Sequence, residues 1–181
     1  MRKILFILGQ LIDSDVEWLA GTGQKERIRA GTVLIQEGQP IENLYIVLDG
    51  LLSVTDIELG GQELAQLGAG EVVGEISLVD SRPPSSTVTA AQDSVLLSIP
   101  KPRLLAKIEA DVGFAARFYR AIAIFLAYRL RGTVTRLGYG GEQPLNPDVV
   151  YQDELDENTL DTVYLAGTRF ERMLKQLMQT A

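Results

Sequence analysis

The 181-residue chain contains no cysteine and no histidine. The missing thiols exclude disulfides and thiol nucleophiles, and the two absences together exclude thiolate and imidazole zinc sites. Without histidine the commonest general base is also gone. No pair of carboxylates stands at a spacing that suggests acid–base work, and no nucleophile–base pair can be assembled. The chain is therefore expected not to be an enzyme and to hold no metal. No run of about 18 apolar residues occurs, which argues against a membrane-spanning helix and a membrane partner. Basic residues are in deficit, 17 Lys and Arg against 24 Asp and Glu, for a net charge of -7. That balance opposes non-specific binding to nucleic acid, which needs cations to neutralise phosphates.

What is present supports one domain with a core and a tail. Hydrophobic residues make up 46% of the chain, enough to build a core at this length. The start, "MRKILFILGQLI", has the basic residues and short apolar run of a secretory leader. "DSDVE" follows at once, however, and no small-residue cleavage site follows the core. Residues 1–28 read instead as a helical region in a cytoplasmic protein, with Asp13 or Ser14 as cap for a segment carrying Val16, Trp18, Leu19 and Ala20.

From Gly31 the period changes. "TVLIQEG", "NLYIVLDG", "LLSVTDIE", "QELAQLGAG", "STVTA" and "SVLLSIP" are short alternating or β-branched runs punctuated by Gly, Pro, Asp or Asn. This pattern predicts an antiparallel all-β sandwich or roll. At Lys101 helical spacing returns. "KPRLLAKIEAD" forms a short helix that tolerates Pro102 in its first turn. A longer helix carries Phe114, Phe118, Ile122 and Phe125 on one stripe, broadened by Leu126 and Leu130. Arg129 and Arg131 read as cations in its last turn, with Gly132 as terminator. The stripe is read as core or as the seam of a homodimer formed through residues 112–131. Residues 132–158 read as a linker ending in the solvated run "DELDEN". A last helix is expected from about Thr159 to Gln179, with Asn158 and Asp161 at capping-box-like spacing. Its apolar stripe is Leu160, Val163, Tyr164, Phe170, Leu174 and Leu177.

The ordered set Gly31, Gly38, Tyr45, Val47, Gly50, Gly70, Gly74 and Glu75, continued by Thr87, Val88 and Ala90, resembles the cyclic nucleotide-binding domain family, the module of the catabolite activator protein and of kinase regulatory subunits. The resemblance covers about residues 10 to 131. It implies a mainly β fold with flanking helices, an antiparallel jelly-roll β-barrel, followed here by the C-terminal helix. It also implies a phosphate cassette with a short helix in "GEISLVDSRPPSSTVTA", Gly74 to Ala90, and a long helix that serves as dimer seam and lid. Glycine at 74 lets backbone come close to an anion, and amides at a helix start attract one. In the family the glutamate at Glu75 binds the ribose 2′-hydroxyl, and an arginine after the proline pairs with the cyclic phosphate.

Here that arginine position holds Pro84, which has neither a charge nor an N–H. Loss of the bidentate guanidinium–phosphate contact costs on the order of 1.5–3 kcal/mol. That is a factor of ten to over a hundred in affinity. The candidate ligand contacts are Gly74, Glu75, Ile76, Arg82, Ser85, Ser86 and Thr87. Glu75 also suits a helix dipole, Ser85 and Ser86 also suit turns, and Arg82 stands two positions ahead of the family's site. The resemblance thus implies a regulatory sensor for cyclic AMP, cyclic GMP or a similar small phosphate ligand, bound weakly. The alternative is a ligand-free module for dimerisation or for an unknown protein partner. A DNA-binding role is not expected, because residues 132–181 hold four basic residues against eight acidic ones and offer no basic recognition helix.

Overall fold

A computed structural model describes residues 4–56, 60–136 and 157–179. Two helices, α1 (Ile4–Gln10) and α2 (Asp13–Thr22), precede eight strands. The strands are β1 (Gln24–Ile28), β2 (Val33–Ile35), β3 (Asn43–Asp49), β4 (Leu51–Asp56), β5 (Gln62–Gly68), β6 (Val72–Val73), β7 (Thr87–Ala90) and β8 (Ser94–Pro100). They form two antiparallel four-stranded sheets, ordered β1-β8-β3-β6 and β2-β7-β4-β5. This is the jelly roll of the cyclic nucleotide-binding fold, with helices on one side. The short helix α3 (Glu75–Val79) interrupts the strands, and α4 (Lys101–Ala110), α5 (Val112–Arg136) and α6 (Glu157–Gln179) follow them.

Alternation along β3 divides the interior in two. Tyr45 and Val47 point between the sheets, where they join Ile35, Leu52, Leu67, Val88 and Leu96. Leu44, Ile46 and Leu48 point the other way, into a second core shared with the helices. Both faces of β3 are therefore covered, and it reads as a near-continuous apolar run. Gly50 makes the turn to β4 at φ +100°, and a Cβ there would lie 2.2 Å from Ser94 Oγ, so glycine is required. The same Ser94 hydroxyl accepts from Leu51 N–H at 3.1 Å.

Phe114, Phe118, Ile122 and Phe125 of α5 are all buried within the one chain, packed with Leu8 and Leu11 of the N-terminal segment and with Ala166, Phe170, Met173 and Leu177 of α6. The aromatic stripe is thus core, and the exposed surface of α5 lies on another face. The Asp111 carboxylate caps α5 by accepting Phe114 N–H at 2.9 Å. Arg117 reaches across to α2 with two bonds to the buried Asp15, 2.7 and 3.0 Å long. Helix α6 folds back mainly on α1 and α2. Its buried Arg169 donates to Asp13 at 2.7 Å and to the carbonyl of Leu8, near the end of α1, at 3.0 Å. Lys25 of β1 donates to the Leu177 carbonyl at 3.0 Å.

The structure changes several boundaries. The first 28 residues are not helical throughout, since Gln24–Ile28 is an edge strand paired with β8. Asp13 opens α2 rather than capping it with its side chain; the N–H of Ile12 donates to Asp15 instead, at 3.1 Å. Gly132 does not end α5, which continues to Arg136. Helix α6 begins at Glu157. Of the expected linker over 132–158, residues 137–156 lie outside the described residues, as do the side chains of Asn158, Leu160, Asp161, Val163 and Tyr164.

Candidate functional site

A cavity of about 330 Å³ opens between the second sheet, α3 and the Arg82–Ser86 turn. Its walls are branched aliphatics, among them Ile35, Ile41, Val54, Leu67, Val73 and Val88. All but Ile41, which lies in the loop before β3, are inward positions of strands, so strand alternation builds most of the apolar surface. Polar groups enter from α3, the proline turn and α5.

Gly74 begins the α3 side. It has φ +91°, and a Cβ would meet the Asn43 carbonyl at 3.1 Å. Any other residue there would be strained and crowded. The turn places Glu75 as the first residue of α3 and only 2% exposed. Ile76, next along, is exposed and lines the opening. Lys101 at the start of α4 donates to the Ser77 carbonyl at 2.7 Å and fixes α3 from outside.

Across the cavity, Arg82, Pro83, Pro84, Ser85 and Ser86 line the opposite rim. Arg82 is exposed, and its backbone N–H donates to Asp80 Oδ1 at 3.0 Å. Pro84 supplies no donor, but its carbonyl accepts the Gly38 N–H at 2.9 Å. That bond ties the turn to the loop between β2 and β3. Thr87 is not among the lining residues; its Oγ1 accepts from Glu37 N–H at 3.2 Å. Its hydroxyl therefore joins β7 to that same loop. Gly74, Glu75, Ile76, Arg82, Ser85 and Ser86 are brought together around one cavity, and Thr87 stands beside it.

The sequence reading missed Arg129. It takes this residue for a counter-charge in the last turn of α5, whereas the helix runs on and Arg129 lines the cavity. Its guanidinium lies over the Phe125 ring, 4.7 Å from the centroid. One nitrogen donates to Glu75 Oε1. The other donates to the Val72 carbonyl at 3.3 Å and stands 3.8 Å from Glu71 Oε2. Spacing carries a partial signal for this placement: Arg129 follows Phe125 by four residues, so the two share a helix face. Burial pushes the Glu75 carboxyl up from its ordinary value, Arg129 opposes the rise, and the nearby Glu71 adds to it. The desolvation outweighs the ion pair, so Glu75 is a costly charge held by one cation.

Residues 25–111 match the family model described as the cyclic nucleotide-binding domain. The chain is 33% identical over 100 residues to the cyclic AMP receptor protein of Thermus thermophilus, covering 54% of this chain and 46% of that protein. It is 36% identical over 92 residues to lysophospholipase NTE1 of Chaetomium globosum, covering 50% of this chain but 6% of the enzyme. The chain thus spans less than half the length of either relative, and the likeness to the lysophospholipase is confined to this one module. A solved cyclic nucleotide-binding domain from Methylobacillus flagellatus superposes with a TM-score of 0.67 at 22% identity, over 79% of this chain and 85% of that one. The glycine frame, the two sheets, the α3 cassette and these likenesses agree: residues 25–111 match the cyclic nucleotide-binding domain family and adopt its fold.

Proposed function

We propose that the domain is a regulatory module that binds cyclic AMP, cyclic GMP or a similar small phosphate ligand, and binds it weakly. The observation that carries this reading is the cavity itself. About 330 Å³ of mostly apolar space is bordered by Glu75, Ser85, Ser86 and the guanidinium groups of Arg82 and Arg129, the mix of apolar wall and few polar groups typical of small-molecule sites. Weakness follows from Pro84, whose only polar group, its carbonyl, already accepts from Gly38. A thermal-shift screen against cyclic mono- and dinucleotides tests the reading. A saturable rise in melting temperature at millimolar nucleotide, with little at ten micromolar, is the expected result. No rise with any nucleotide would favour the second reading, a ligand-free interaction module. Pro84 and the engagement of Glu75 by Arg129 support that alternative.

The partner in either reading is a second copy of this chain, meeting it along the outer face of α5. Ala116, Tyr119, Ala123 and Leu130 lie there at helical spacing, all exposed. Tyr119 is 43% and Leu130 64% exposed. Such a stripe suits a helix-on-helix seam. Tyr119→Asp with Leu130→Asp should turn dimer into folded monomer in light scattering; a wild-type chain that is already monomeric at micromolar concentration removes the seam.

A further inference from the structure

We propose that Arg129 is the anion-binding group of this pocket, in place of the guanidinium missing at Pro84, and that the Glu75 carboxylate competes with the ligand's anion for it. This rests on the reading of the cavity as a ligand site and names the residue that makes it one.

Among the described residues, two guanidinium groups line the cavity, those of Arg82 and Arg129. Arg82 is exposed on its turn, and the stiff Pro83–Pro84 pair that follows limits how that turn can bend toward the cavity. Arg129 differs in every respect. It is delivered by a long helix, it rests on the Phe125 ring, and its side chain is 25% exposed. The guanidinium is therefore fixed in place yet reachable from the cavity. It already holds an anion, because Glu75 Oε1 accepts from it. Carboxylate and phosphate oxygens make the same demand on a guanidinium, charge-assisted and able to be bidentate. A phosphate that displaces Glu75 therefore exchanges one acceptor for another at Arg129. The ring contact and the bond to the Val72 carbonyl keep the cation in position meanwhile. The displaced carboxyl stays buried without its cation, and burial favours its neutral form, so displacement goes with uptake of a proton at Glu75.

This arrangement reverses the sign expected of a direct ligand contact. If Glu75 touched the ligand and did nothing else, removing its charge would weaken binding. If it competes for Arg129, removing its charge strengthens binding.

The experiment is calorimetric titration of cyclic AMP, and separately of inorganic phosphate, into wild type, Glu75→Gln, Arg129→Gln and Arg129→Lys, with thermal unfolding to show that each is folded. Glu75→Gln should bind either anion at least about tenfold more tightly than wild type, and Arg129→Gln at least about tenfold more weakly, the range for one hydrogen bond to a charged group. Arg129→Lys, which keeps the charge but not the fork, should fall between wild type and Arg129→Gln, and it carries the measurement if Arg129→Gln does not fold. Wild-type affinity in the Arg129 variants, or weaker binding by Glu75→Gln, would overturn the proposal while leaving a ligand site in place. Phosphate binding that follows this pattern without any binding of cyclic AMP would sustain the proposal and remove the cyclic nucleotide. A folded Glu75→Gln that binds neither anion overturns it outright.

Discussion

Arg169→Ala should destabilise the chain far more than the neighbouring Arg172→Ala. Arg169 is 9% exposed, and its guanidinium donates to Asp13 Oδ1 at 2.7 Å, to the Leu8 carbonyl at 3.0 Å and to the Gly9 carbonyl at 3.5 Å. The last carbonyls of a helix have no partner inside it, so Arg169 closes the end of α1 from α6. Truncation leaves the Leu8 carbonyl buried without that donor, at a cost of about 1–3 kcal/mol. The bond to Asp13, half exposed, adds at most about 1 kcal/mol after solvent screening. The total is roughly 1–4 kcal/mol, which for a chain of this size corresponds to a fall in melting temperature of roughly 2–16 °C. Arg172 makes one 3.0 Å bond to the same carboxylate and is exposed, so its loss should cost under about 0.5 kcal/mol. Differential scanning calorimetry and urea unfolding on both variants measure the contrast. Equal and small effects would mean that α6 does not rest on α1 in solution.

Two further outcomes follow from the same contacts. Phe118→Asp places a charge in a site 1% exposed between α5 and its neighbours, so circular dichroism should report loss of fold rather than a folded monomer. The Arg169 hydrogen bond holds the Asp13 carboxyl below its ordinary value. Its folded-state value lies under the unfolded one, so its contribution is full at neutral pH and lost as pH falls below the ordinary carboxylate range. Asp13→Asn should therefore flatten the acid limb of the stability curve, and an unchanged limb would show that the pair contributes nothing.

The strand frame was legible because alternation and turn glycines are local signals. Gly31, Gly38, Gly50, Gly70 and Gly74 all take positive φ, as their places between apolar runs suggest. Strand β1 escaped notice because "QKERI" lies at a sheet edge, is largely polar and follows α2 after one residue. The aromatic stripe of α5 was legible as apolar but not as covered. Sequence gives the breadth of an apolar face, whereas its occupant, here the N-terminal helices and α6, comes from distant parts of the chain. Arg129 was hidden for a related reason. A cation near a supposed helix end has a local explanation in the dipole, and only the continuation of α5 past Gly132 and the approach of α3 reveal its pairing with Glu75. Thr87 shows the reverse, since a family match in sequence did not foretell that its hydroxyl would accept from the Glu37 backbone.

Calorimetric titration of cyclic AMP into the wild-type chain and into Pro84→Arg decides whether the cavity is a ligand site with a defective phosphate contact. Arginine at 84 adds a donor fork on the rim opposite Glu75, on a turn that already lines the cavity. Wild type should bind with a Kd of roughly tens of micromolar or weaker, and Pro84→Arg at least about tenfold more tightly, the gain of one charge-assisted contact. Submicromolar binding by wild type, or a folded Pro84→Arg with no gain, would contradict it.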